Sequence, residues 1–206
     1  MCSSDLLITQ DPKIRKGYNE KLMKNKWPST YGYLTRFKKI LMSQAAYKKY
    51  HAESNNPFYS QYNISEYTFS RYKVVWKQMT NDIFASVISQ IKTPFNFKIV
   101  IPLHTTALIA TNVENETNNL CSIINSHPVR SFIRSFSAAG RGFGTPSVMN
   151  HVGIPRFDPK KELHQKLAQL SKTLHDLKVA KKTAEIPELE NEVDCYVHEL
   201  FGIKND

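Results

Sequence analysis

Five leucines, Leu163, Leu167, Leu170, Leu174 and Leu177, recur three or four residues apart, and that spacing commits the end of the chain to an amphipathic helix. Glu185–Pro187 interrupts the series. A second helix is expected over 188–201, with Leu189, Val193, Tyr196, Val197 and Leu200 on its apolar stripe and Gly202 placed to cap it. Two such helices make a hairpin whose leucines must be buried against a domain or a neighbouring module.

Upstream the pattern is mixed. Leu34, Phe37, Ile40, Leu41, Ala45 and Tyr47 recur near helical spacing and predict one helix over 34–50. Ser54-Asn55-Asn56-Pro57 breaks it. An aromatic cluster follows: Phe58, Tyr59, Tyr62, Tyr67, Phe69, Tyr72 and Trp76. Interleaved with Arg71, Lys73 and Lys77, it suits stacking on nucleic acid, although such rings more often fill a core. Tyr72–Trp76 is rich in β-formers and predicts a strand. Residues 98–111 read as two short strands or one bent one, with Pro102 at an edge or bulge. Helices are expected over 114–125 and 129–136, the second with Pro128 in its first turn. Gly140–Pro146 reads as a flexible loop and 147–154 as a last strand.

The expected fold class is therefore α+β: a small mixed-sheet recognition domain, flanking helices and a C-terminal helical hairpin. Three parts are expected: a basic helical segment over 1–56, an α/β domain over 57–157, and the hairpin over 158–206. Hydrophobic residues make up 41% of the 206, enough for a substantial core.

The net charge of +10 is unevenly spread. Residues 1–80 hold 14 Lys and Arg against five Asp and Glu, 81–156 hold six against three, and 157–206 hold eight against ten. Attraction to a polyanion therefore belongs to the first three quarters, and binding through it must weaken with salt as counterions are released. A basic globule without such a partner is the alternative. Cys2, Cys121 and Cys195 are too few and too far apart for a disulfide framework or a zinc site, so a reducing cytoplasm is expected. No apolar run reaches the roughly 18–20 residues a membrane span needs, and the start lacks the basic residues of a secretion signal.

Reactive motifs are missing from the expected settings. The glycines of Gly140–Gly144 lie between a predicted helix and a short strand, whereas a dinucleotide loop joins a strand to a helix. Asn56-Pro57-Phe58-Tyr59 has one proline where a base-amino methylation motif has two, and reads as a turn. Asp158 has no close acidic partner for a metal-dependent nuclease, and His104 and His127 are isolated.

Several segments, in order, carry a resemblance. They include Trp27-Pro28-Ser29-Thr30-Tyr31-Gly32-Tyr33-Leu34, Tyr72-Lys73-Val74-Val75-Trp76-Lys77 and Ile101-Pro102-Leu103-His104-Thr105. Further on come Leu120-Cys121-Ser122-Ile123-Ile124-Asn125-Ser126-His127-Pro128-Val129, Gly140-Arg141-Gly142-Phe143-Gly144-Thr145-Pro146 and Glu192–Gly202. Together they resemble the C-terminal target-recognition region of adenine-specific DNA methyltransferases of the fused type IIG restriction–modification kind, over roughly 27–203. The resemblance implies double-stranded DNA as partner and a methyltransferase catalytic domain or subunit alongside. S-adenosylmethionine would belong to that partner, with no cofactor in this chain and no membrane association. The catalytic half of the family is lacking here, so the chain is expected to be a recognition module or, alternatively, a subunit of a split methyltransferase or endonuclease active only with its partner.

The candidate DNA contacts are Arg141 first, because flanking glycines let backbone approach DNA and a guanidinium can pair bidentately with guanine or phosphate. Arg71, Lys73, Lys77, Arg130 and Arg134 follow as phosphate contacts, then Lys48 and Lys49. A solvated surface or a mobile loop is the competing reading for each.

Overall fold

The computed structural model describes residues 6–103, 105–137 and 143–203. The fold is α+β, and the chain falls into two compact units, residues 1–69 and 70–206. The second unit includes the helical hairpin, which the sequence had suggested as a separate part.

In the first unit, strands β1 (Gln10–Asp11) and β2 (Lys16–Gly17) form a minimal antiparallel pair. Four short helices follow: α1 (Glu20–Lys26), α2 (Pro28–Thr35), α3 (Lys38–Ser43) and α4 (Ala45–Tyr50). Met23, Phe58 and Tyr59 form the core, with Tyr18, Trp27, Tyr31, Leu34 and Leu41 packed on it. The Tyr59 hydroxyl donates to the Tyr18 carbonyl at 2.7 Å, and the Thr9 hydroxyl to the Tyr59 carbonyl at 2.9 Å. Asn56–Tyr59 is a turn, as its single proline suggested: the Ser60 amide donates to the Pro57 carbonyl at 2.8 Å, and Asn56 meets His51 Nδ1 at 3.1 Å.

The single helix expected over 34–50 is instead three pieces. Gln44 is extended at φ −62°, ψ 139°, between α3 and α4. The hydroxyls of Thr35 and Ser43 donate to the carbonyls of Tyr31 and Ile40, competing with helical hydrogen bonding at both breaks. The breaks let Leu34 and Leu41 join the Met23 core while Tyr47 turns to donate to the Asn56 carbonyl at 2.8 Å.

In the second unit, β3 (Tyr72–Lys77) is the centre of a three-stranded antiparallel sheet, between β4 (Ser86–Ile88) and β7 (Thr106–Thr111). Strands β5 (Gln90–Lys92) and β6 (Phe97–Ile99) pair only with each other among the described residues. Pro102 lies between β6 and β7, where it costs no ladder hydrogen bond. Helix α5 (Glu114–Asn125) covers the sheet and α6 (His127–Phe136) follows it. Val74, Trp76, Ile123, Ile124, Ile133, Leu167 and Val197 belong to one core, so α8 (Glu162–Val179) and α9 (Ile186–Phe201) close over α5 from the other side. Gly202 caps α9 in the left-handed conformation, φ 64°.

The strand expected over 147–154 is a correction. Its place is taken by a short helix, α7 (Pro146–Met149), and a turn. Val148, Met149 and Val152 are the buried residues, a helical rather than an alternating spacing, and Pro146 sits in the first turn.

Just ahead of α7, Gly144 is pressed against β3. Its amide donates to the Gln78 carbonyl at 2.9 Å, and its carbonyl accepts from the Trp76 indole at 2.8 Å. A Cβ there would lie 2.2 Å from the Lys77 carbonyl oxygen, so only glycine fits. Gly144→Ala is expected to destabilise the second unit by roughly 1–3 kcal/mol or more, as overpacking does. Urea unfolding followed by Trp fluorescence measures it, because the Trp76 indole is the hydrogen-bond partner.

Candidate nucleic-acid interface

Residues 1–69 hold 11 Lys and Arg against five Asp and Glu. All 11 are exposed: Lys13, Arg15, Lys16, Lys21, Lys24, Lys26, Arg36, Lys38, Lys39, Lys48 and Lys49. Lys24 is ion-paired with Glu20 at 2.7 Å, and that carboxylate also accepts from the Tyr31 hydroxyl at 2.6 Å. These hydrogen bonds, first from Lys24 and then from Tyr31, hold the Glu20 carboxyl below its ordinary pKa.

Aromatic rings lie among these cations. Lys48 and Lys49 occupy the last turn of α4, where the helix dipole favours cations. Lys49 sits 5.0 Å from the Tyr50 ring centroid, and Tyr50 stacks on Tyr62 at 4.2 Å with planes only 17° apart. Both tyrosines are exposed, as are Tyr33 and Phe37, whose rings lie 5.2 Å apart. Tyr50 lay outside the aromatic cluster singled out in the sequence, yet its position directly after Lys48-Lys49 was the available signal. Exposed rings beside mobile cations can stack on bases while lysines hold phosphates.

In the second unit the candidate cations fare differently. Arg71 is exposed, its guanidinium 5.1 Å from the Tyr72 ring centroid, and Lys77 is exposed at the end of β3. Lys73, expected to contact phosphate, is 1% exposed, and its ammonium donates to the Ser70 carbonyl at 2.7 Å. Burial pushes its pKa down to about 8. It lies on the face of β3 opposite Val74 and Trp76, because neighbouring strand residues alternate, and both faces are covered at that point.

Arg130 and Arg134, one helical turn apart on α6, both reach the Asp82 carboxylate. Arg130 also stacks 4.5 Å from the Phe84 ring centroid. Burial opposes ionisation of Asp82, but the Arg130 hydrogen bond and charge outweigh it and keep the carboxyl below its ordinary pKa. Asp82 thus fixes two of the predicted phosphate contacts to the fold. Arg141 lies outside the described residues, as does His104.

A cleft of about 700 Å³ opens between β4, the α5–α6 junction and the hairpin, with Phe84, Asn125, Arg130, His175 and Lys178 on its walls. His175 is tied into it: Nδ1 faces the Ser171 carbonyl at 2.8 Å, and Nε2 accepts from the Val87 amide at 3.2 Å. Burial raises the pKa of the Cys121 thiol to about 11, so it is no thiolate nucleophile near neutral pH. Among the described residues no group of three or more His, Cys, Asp or Glu is placed to hold a metal ion, and no helix is long and apolar enough to cross a membrane. No protein-family model matches the chain, and neither does any curated protein sequence.

The burial of Lys73 has a measurable consequence. Its folded pKa lies near 8 against an ordinary 10.5, so the unfolded chain binds the extra proton between those values and stability must rise with pH across that window. Urea unfolding between about pH 7.5 and 9.5 is expected to show the rise, below the range in which tyrosines titrate. Lys73→Met is expected to flatten it.

Proposed function

We propose that this chain is a DNA-recognition module of the kind that serves adenine-specific DNA methyltransferases in restriction–modification, working in the cytoplasm. It holds duplex DNA for a catalytic domain or subunit, and S-adenosylmethionine is bound by that partner. The ordered sequence segments motivate the family. The observation that carries the binding role is the set of 11 exposed cations over residues 1–69, set among exposed aromatic rings.

The physical logic favours a polyanion. Eleven like-charged side chains with few carboxylates nearby repel one another, and counterion release on meeting phosphates supplies a favourable term. The second unit contributes Arg71, Lys77 and Arg141 in this reading, and Arg141 is the residue assigned to base-edge contact. Arg130 and Arg134 shift from phosphate contacts to a structural role unless DNA displaces Asp82.

The test is duplex affinity as a function of salt. Log affinity is expected to fall linearly with log salt concentration, and replacing Lys48 and Lys49 together by Ala to reduce the slope by about 2, because each lost phosphate contact removes about 0.9. The loss is expected on every duplex sequence alike. Affinity that stays constant from low to high salt would remove the binding role.

A further inference from the structure

Tyr50 and Tyr62 are the one pair of tyrosines stacked face to face among the described residues. Their ring centroids lie 4.2 Å apart with planes 17° apart, and the two residues are 43% and 52% exposed. The backbone holds this stack in place. His51 Nε2 meets the Gln61 carbonyl at 3.2 Å, so the residues adjoining the two tyrosines are joined. The Tyr47 hydroxyl donates to the Asn56 carbonyl at 2.8 Å and the Asn56 amide donates to the His51 carbonyl at 3.1 Å, which closes the turn between them. His51 is buried, so these bonds are shielded from water. Asn55, inside the turn, and Asn63, directly after Tyr62, take the left-handed conformation at φ 47° and 58°, which asparagine adopts more readily than most residues.

Two phenols in this arrangement are set for radical coupling. A tyrosine that loses one electron and its hydroxyl proton becomes a neutral phenoxyl radical. The unpaired electron then resides on the oxygen, on the two Cε carbons and on Cγ, and Cγ is blocked by the rest of the side chain. The orbital lobes that carry it stand perpendicular to the ring, so face-to-face stacking points the lobes of one ring at those of the other. Tyr31 and Tyr59, in the same unit, show the contrast: their centroids are 6.3 Å apart and their planes stand at 85°. Tyr59 is buried, and burial pushes its pKa up to about 12. Tyr50 is the reverse. The adjoining Tyr62 hydroxyl first, and Lys49 second, hold its pKa below the ordinary tyrosine value, which eases loss of the proton on oxidation. The exposed Tyr33 has the phenylalanine Phe37 as its ring neighbour, and so no second phenol to couple with.

We propose that Tyr50 and Tyr62 are a site of oxidative cross-linking, at which a one-electron oxidant, supplied by hydrogen peroxide acting through a haem peroxidase, joins the two rings by a Cε–Cε bond. Each ring gives up one electron and its hydroxyl proton. The two unpaired electrons pair in the new bond. The hydrogen on each bonded carbon then leaves as a proton, and one proton returns to each oxygen to restore both phenols. The net loss is two hydrogen atoms, and the peroxide that accepts them becomes two waters. The product closes residues 50–62 into a covalent ring, so oxidation clamps the end of α4 to the segment that follows the Pro57 turn. The chemistry is independent of the DNA-binding reading.

The experiment treats the dilute full chain with hydrogen peroxide and a haem peroxidase, separates monomer from dimer, and reads dityrosine fluorescence and peptide masses. The monomer is expected to gain dityrosine emission at a rate independent of protein concentration. Glu53 lies between the two tyrosines, so cleavage after Glu53 and Glu66 parts residues 54–66 from the piece that carries Tyr50. In the oxidised monomer the two pieces are expected to stay joined, lighter by two hydrogens than their sum. Tyr50→Phe and Tyr62→Phe are each expected to abolish the joined peptide, whereas Tyr33→Phe and Tyr67→Phe leave it. Phenylalanine keeps the ring in the stack, so both of the first two variants are expected to keep the wild-type unfolding midpoint, which separates loss of coupling from loss of fold. Dityrosine found only in dimers, or a joined peptide that persists in Tyr50→Phe or Tyr62→Phe, overturns the proposal. Pieces that part in the oxidised monomer as they do in the untreated chain overturn it as well.

Discussion

Helix α5 is the constraint on which the second unit depends, because it is buried from both sides by different partners. The sheet lies against one face and the C-terminal hairpin against the other. Residues 117–119 and 121–124 are all buried, yet several are polar. Most of these polar groups are paired, Thr117 with the Thr111 hydroxyl, Asn118 with the Glu114 carbonyl and Ser122 with the Leu167 carbonyl on α8, while the Asn119 side chain has no hydrogen-bond partner among the described residues. Asn125 accepts from the Ala85 amide at 2.7 Å and donates to the Ala85 carbonyl at 2.9 Å, which fixes the approach to β4. Asn115 donates to Gln165 and accepts from Lys172, both on α8, at 2.8 Å. The sheet and the cleft take their positions from this helix.

That arrangement shows where the sequence was legible and where it was not. Strand β3 and helix α5 were readable from β-former content and from helical spacing with early carboxylates, and the Leu163–Leu177 series marked α8 plainly. The burial of Asn118 and Asn119 on α5 left no signal, because periodicity shows which residues are apolar and not what covers the polar ones. Lys73 read as a surface cation for the same reason: strand alternation places it, but only the tertiary packing decides that both faces of β3 are covered. The Asp82–Arg130–Arg134 cluster joins residues about fifty positions apart and left no local signal. The break at Gln44 and the helix at Pro146–Met149 were lost because short apolar runs fit more than one periodicity.

The division of charge gives the functional account its shape. In the second unit 17 Lys and Arg face 13 Asp and Glu, and several are held: Lys73 on a carbonyl, Arg130 and Arg134 on Asp82, Lys178 on Glu190. In the first unit the cations are all exposed, only Lys24 is in an ion pair among the described residues, and there are fewer than half as many carboxylates. On the proposed DNA-binding reading, affinity for phosphate would belong chiefly to residues 1–69, with Arg141 of the second unit assigned to base-edge contact.

Lysine-modification footprinting by mass spectrometry, with and without duplex DNA, addresses that division directly. The account predicts protection at Lys38, Lys39, Lys48 and Lys49, while Lys160, Lys161, Lys181 and Lys182 near and within the hairpin label equally in both conditions. Protection confined to the hairpin lysines, or no protection at any lysine of residues 1–69 while DNA is bound, would contradict it.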